Sequence, residues 1–113
     1  MLSLCEKYGS PLYVYDSEKI TTNYNNFINA FNTKNFKVYY ACKALTNINI
    51  LKLFYSLGAG LDCVSIEEIE LGLMSGFKPQ QILYTPNNVS EDEYKKAISI
   101  CVKINVDNIN FLE

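Results

Sequence analysis

The 113-residue chain contains no histidine. That removes His-based zinc sites and Ser-His-Asp catalysis from what these residues can build. It has four cysteines, Cys5, Cys42, Cys63 and Cys101, and no Cys-x-x-Cys pair. Such wide spacing suits reduced thiols used as small hydrophobes better than disulfides or metal ligands, so no metal site is expected. No apolar run approaches the about 18 residues of a membrane span. The opening Met1-Leu2-Ser3-Leu4-Cys5-Glu6-Lys7 lacks the apolar segment of a secretory signal. The expectation is a cytoplasmic protein with no membrane partner. Basic clusters are missing too, and the formal net charge is −2. Phosphate-backbone binding needs concentrated cations, so no nucleic-acid partner is expected.

What is present is enough apolar material, 49% of residues, for one modest core. Residues before Gly9 suit a short helical turn. Pro11-Leu12-Tyr13-Val14-Tyr15 reads as a strand with proline confined to its first position. Asp16 or Ser17 can cap a helix in which Ile20, Tyr24, Phe27, Ile28 and Phe31 form one apolar stripe, ending near Asn32 to Asn35.

From Phe36 the pattern becomes regular. A strand over 37–42, fit for burial on both faces, leads to a helix over 47–57 that Gly58-Ala59-Gly60 ends. A second strand over 61–64 meets Ser65-Ile66-Glu67-Glu68, the pattern of a capping box, and a helix that Gly76 closes. A third strand over 82–85 turns at Pro86-Asn87-Asn88 into a second box, Ser90-Glu91-Asp92-Glu93, and a helix through about Cys101. A fourth strand covers 103–106, and Asn108-Ile109-Asn110-Phe111-Leu112-Glu113 resembles the first turn of another helix. The repeat of roughly 21–23 residues fits βα units with parallel strands. An open doubly wound sheet and a closed (β/α)₈ barrel both use this pattern. No Gly-x-Gly-x-x-Gly follows the first strand, and the repeats are even, which favours the barrel. The expected fold is α/β: about the first four units of a (β/α)₈ TIM barrel over 36–113, preceded by a strand and a helix over 1–35.

Both architectures place active sites beyond the carboxyl ends of the strands. There stand Lys43, then Asp62 to Ser65, then Thr85 to Asn88, then Asp107 and Asn108. Lys43 is unusual, because it ends the apolar run Val38-Tyr39-Tyr40-Ala41-Cys42. The ordinary reading is a strand-end lysine reaching water. Its place at the mouth of a barrel makes it a functional candidate as well: a general base, a phosphate clamp or a Schiff-base former. A shielded amine has its charged form disfavoured, which frees its lone pair for an aldehyde.

Several stretches resemble the N-terminal part of the group IV (fold type III) pyridoxal-phosphate decarboxylases. They are Pro11-Leu12-Tyr13-Val14-Tyr15-Asp16, Tyr40-Ala41-Cys42-Lys43-Ala44, Gly58 through Ser65 with Glu68, Tyr84-Thr85-Pro86-Asn87 and Ile104-Asn105-Val106-Asp107. The resemblance runs in order along essentially the whole chain. It implies pyridoxal 5'-phosphate as cofactor, a small-molecule amino-acid substrate, and a homodimer for the complete protein. Lys43 matches the lysine that holds the cofactor as a Schiff base. Asp62 matches a cofactor-binding carboxylate near that lysine, with a helix-terminal role as its structural alternative. Glu68 matches a family glutamate that capping alone would also explain. Ser65 and Asn87 complete the expected pocket, although Asn87 also suits a turn. The opening, Tyr-Thr-Pro-Asn and Asn-Val-Asp-Asn stretches are most similar to members that convert meso-diaminopimelate to L-lysine and CO₂. Ornithine, arginine and alanine-racemase-like relatives share the same frame.

Two departures matter. Leu45 stands where many members have asparagine. The family's Gly-rich phosphate loop, the acid facing the pyridine nitrogen, the stacking histidine and the cysteine contributed across the dimer come later than any residue here. Gly58-Ala59-Gly60 cannot replace the loop, because it precedes a strand and so lies at the opposite end of the barrel. The expectation is therefore an N-terminal piece that is inert alone.

Overall fold

The computed structural model describes residues 2–33 and 35–112. Helices α1 (Leu2–Tyr8) and α2 (Ser17–Asn29) come first. Then β1 (Tyr39–Ala41), α3 (Ile48–Ser56), β2 (Gly60–Cys63), α4 (Ile66–Met74), β3 (Ile82–Tyr84), α5 (Glu91–Ile100) and β4 (Lys103–Ile104) alternate. The strands begin at Tyr39, Gly60, Ile82 and Lys103, 21 or 22 residues apart. One-turn 3-10 segments cover Cys42–Ala44, Pro79–Gln81 and Ile109–Leu112.

All four strands are parallel and lie in sequence order, β1-β2-β3-β4. The order never reverses, so the doubly wound alternative, which needs a switch point, does not apply. Helices α3, α4 and α5 share one face. Tyr40 stacks on Phe54 of α3 with ring centroids 3.9 Å apart. Leu61 and Ile82 lie against Gly72 of α4. Tyr84 meets Tyr94 of α5 edge to face. Register puts Tyr40 beside Leu61, and Leu61 beside Ile82, so these side chains point the same way. This is the singly wound arrangement of the first half of a (β/α)₈ barrel.

The two faces differ in cover. On the helix side Cys42, Leu61, Cys63, Ile82 and Tyr84 are completely buried. On the other side Tyr39, Ala41, Asp62 and Leu83 are only half-buried. That second face is the one a barrel turns inward.

Helix ends follow local chemistry. Asp16 caps α2 by accepting from Lys19 N at 3.0 Å, and Asn47 caps α3 by accepting from Asn49 N at 2.9 Å. Gly58 (φ +82°) and Gly76 (φ +105°) end α3 and α4 in left-handed conformations. Behind each, an N–H reaches back, Ala59 to the carbonyl of Phe54 and Phe77 to that of Gly72, both at 3.1 Å. Ser90 and Glu93 form a full capping box at α5.

Several expectations are corrected. Residues 11–15 form no strand. Their alternating pattern suits a sheet, but no described strand lies beside them, and Tyr13 is 87% exposed. Helix α2 stops at Asn29, a few residues early, in an asparagine-rich stretch of weak helicity. Strand β1 is shorter than expected and half-buried throughout, because it lies at the edge of the sheet and its second face has no cover among the described residues. At α4 only half of the expected box forms: Ser65 accepts from Glu68 N at 3.3 Å, while Glu68 Oε2 accepts from Val64 N at 2.7 Å rather than from Ser65. The closing helical turn is the 3-10 segment Ile109–Leu112, with Glu113 outside the described residues.

Candidate active site at the carboxyl edge of the sheet

Parallel strands deliver their carboxyl ends to one edge, together with the N-termini of α3, α4 and α5. That edge has a positive helix-dipole character suited to anions. Among the described residues that follow the four strands, Lys43 is the only cation. It sits in the 3-10 turn Cys42–Ala44 and is exposed. The turn is pinned by Leu45 N donating to the carbonyl of Cys42 at 3.1 Å. Tyr40 OH also donates to the carbonyl of Leu45, at 3.5 Å. The ammonium of Lys43 forms no ion pair with Asp62 or any other described residue.

Asp62 lies in β2 on the uncovered face, in register with Ala41 on one side and Leu83 on the other. Its Oδ1 accepts a hydrogen bond from Thr85 Oγ1 at 2.6 Å. Ser65 sits at the same edge, but its hydroxyl is committed to capping α4. Asn87 is exposed in the loop after β3. The structure thus brings Lys43 and Asp62 to neighbouring strands, places Asn87 in the adjacent loop, and gives Ser65 a structural task.

Two further groups organise this edge. Asp107, after β4, accepts from Asn88 N at 3.0 Å and from Tyr94 OH at 2.6 Å. It ties the β3–α5 loop to α5. The Tyr94 hydrogen bond, followed by that of Asn88, holds the Asp107 carboxyl below its ordinary value. Thr85 joins β3 to β2 through its backbone as well, donating N–H to the carbonyl of Cys63 at 2.8 Å. Both residues were visible in the sequence as strand-end polar groups, but nothing there indicated their partners.

Cys42 and Cys63 flank Lys43 and Asp62 in sequence and turn to the helix side. Both are free thiols and completely buried. Burial, then the Glu68 carboxylate, pushes the Cys42 thiol up to about 11. Burial, then Cys42, raises Cys63. Both stay protonated at neutral pH and act as core packing.

An amine free of ion pairs, in the turn that follows β1 at the carboxyl edge of the sheet, is of the type that can capture an aldehyde. Residues 17–113 match the model of the pyridoxal-dependent decarboxylases, pyridoxal binding domain, and the chain belongs to that family. Within it, the chain is similar to diaminopimelate decarboxylases. That of Methanothermobacter thermautotrophicus is 45% identical over 109 residues, which covers 95% of this chain and 26% of that protein. The crystal structure of the Methanocaldococcus jannaschii enzyme in co-complex with L-lysine matches with a TM-score of 0.90 at 37% identity, over 98% of this chain and 27% of that one. A lysine/ornithine decarboxylase complexed with putrescine, from Vibrio vulnificus, matches with a TM-score of 0.88 at 25% identity, over 98% and 30% respectively. The chain spans about a quarter of the length of the curated relatives it matches, 26% for the first named.

Proposed function

We propose that this chain supplies the first half of the cofactor-binding barrel, residues 36–113, of a decarboxylase that converts meso-diaminopimelate to L-lysine and CO₂. Pyridoxal phosphate would be held covalently by Lys43. The observation that carries the reading is the unpaired amine of Lys43 at the carboxyl edge of an uncovered sheet face. When bound, the cofactor supplies the electron sink that takes up the pair left by the departing carboxylate. The chain's own residues have narrower tasks. Lys43 captures the aldehyde and can carry a proton at Nζ. Asp62 brings a carboxylate to the neighbouring strand, where Thr85 holds it. Asp107 fixes the loop that bears Asn87. The helix layer closes the outer side of the sheet to water.

Sequence favours diaminopimelate over ornithine as substrate: relatives named for the former reach 45% and 37% identity, against 25% for the lysine/ornithine enzyme. The fold does not separate them, since TM-scores are 0.90 and 0.88. The resemblance also carries a homodimer into the proposal, which the solution mass of the complete protein tests. The functional test is CO₂ release by the complete protein with pyridoxal phosphate. Release from meso-diaminopimelate with L-lysine as product is expected. Release from ornithine but not from meso-diaminopimelate would overturn the substrate assignment.

A further inference from the structure

The half-buried hydrogen bond between Thr85 and Asp62 joins residues 23 apart in sequence and lies on the uncovered face of the sheet. Strand β2 runs between β1 and β3, so Asp62 has one neighbour strand on each side. Its register partners are Ala41 and Leu83. Two residues further toward the carboxyl edge, β1 leads to Lys43 and β3 leads to Thr85. Asp62 therefore stands on the strand between the two that lead to these residues, with Lys43 in the 3-10 turn that follows β1.

Thr85 takes the β3 side. Its backbone is pinned to the carbonyl of Cys63 at 2.8 Å. Its β-branched side chain is stiff about χ1, so the hydroxyl has little freedom once the backbone is fixed. At 2.6 Å the hydrogen bond to Oδ1 is short, as expected when a hydroxyl donates to a charged oxygen. Oδ2 has no donor among the described residues, so Thr85 holds one carboxylate oxygen and leaves the other open.

From this placement we infer that Thr85 is a positioning residue: it fixes the Asp62 carboxylate so that its second oxygen faces the nitrogen of Lys43 and stabilises positive charge there. The inference rests on the proposed role of Lys43 and adds a residue that acts only through Asp62. A carboxylate released from Thr85 can rotate toward solvent, and its effect on a nitrogen one strand away weakens with distance and water. Valine keeps the shape and strand preference of threonine while removing the donor, and serine keeps the donor.

The experiment is a double-mutant cycle in the complete protein, read as the dissociation constant for pyridoxal phosphate from an absorbance titration of the cofactor-free form. Thr85→Val should weaken binding on the order of ten-fold, the worth of a hydrogen bond to a charged group. Thr85→Ser should restore it to within about two-fold. In the Asp62→Asn background, Thr85→Val should produce no further loss, because there is no charge left to position. Thermal unfolding of the cofactor-free variants serves as the control for fold. The inference is overturned if Thr85→Val binds as the parent does, if serine fails to restore binding, or if the valine effect persists in full when Asp62→Asn is also present. Borohydride trapping is run on the parent protein in parallel. Absence of an adduct at Lys43 would defeat the functional reading itself, whereas an adduct at Lys43 with no Thr85 effect would defeat only the positioning role.

Discussion

Alanine at position 72 should destabilise the protein, although helix propensity alone argues the reverse. Gly72 lies within α4 at a backbone conformation that alanine adopts without strain, and the exchange gains about 1 kcal/mol of propensity. A methyl group there would stand 2.5 Å from Leu61 Cδ2 and 3.3 Å from Ile82 Cδ1. Ordinary carbon contacts lie at about 3.5–4.0 Å, so Leu61 or the helix must shift by about 1 Å. Leu61 is fully buried in the cluster that includes Ile66, Ile69 and Ile82, so its side chain must turn against packed neighbours to make room. Overpacking of this kind costs about 1–3 kcal/mol. The net expectation is a loss of up to about 2 kcal/mol once the propensity gain is subtracted. Urea unfolding of the complete protein should show a lower midpoint at unchanged slope. Leu61→Ala alone should cost about 2–5 kcal/mol. The double variant should lose less than the sum, because the truncated side chain vacates the space the new methyl needs. A raised midpoint in Gly72→Ala, or strict additivity with Leu61→Ala, would refute the close approach of α4 to β2.

Other perturbations test the edge and the core. Tyr84 OH is buried with no hydrogen-bond partner among the described residues, so Tyr84→Phe should stabilise by about 1 kcal/mol, seen as a higher Tm. Burial, then the charge of Glu93, pushes the Tyr84 phenol from 10.0 up to about 12. The fold favours the neutral phenol, so its contribution is complete below pH 10.0 and is lost as pH rises through about 12. An alkaline stability profile should show that loss in the parent and lack it in Tyr84→Phe. Asp107 has the opposite sign. Its carboxyl is held below 3.8, so its contribution is present above that pH and is lost as pH falls through the folded value. Asp107→Asn should flatten the acid limb of denaturation, and amide exchange in the β3–α5 loop should rise, because Asn88 N loses a charged acceptor.

The repeating core of the fold was legible because each unit announces itself locally. Ser65 and Ser90 open helices, Gly58 and Gly76 close them, and the strands between are apolar. Pairing is what sequence alone does not carry. Residues 11–15 have the alternation of a strand, but a strand exists only beside a partner, and none is described there. The same limit hid the partner of Asp62. Thr85 is 23 residues away, and only the register of β2 with β3 brings the two side chains together. Glu68 shows how a motif can be half right. Its backbone N–H takes the Ser65 oxygen as the box requires, yet its carboxylate passes to Val64 N one residue earlier. Lys43 was legible in kind, as a cation after an apolar run, and its edge position followed from strand direction. That it stands without an ion pair to Asp62 emerged only from the structure.

The central claim is that Lys43 binds the cofactor covalently. The direct measurement is borohydride reduction of the complete protein with pyridoxal phosphate, followed by mass mapping of the proteolytic peptides. One pyridoxyl adduct on the peptide containing Lys43, and its loss in Lys43→Ala together with the visible absorbance band, is the predicted result. An adduct retained by Lys43→Ala at another lysine, or a parent protein that carries none, would contradict it.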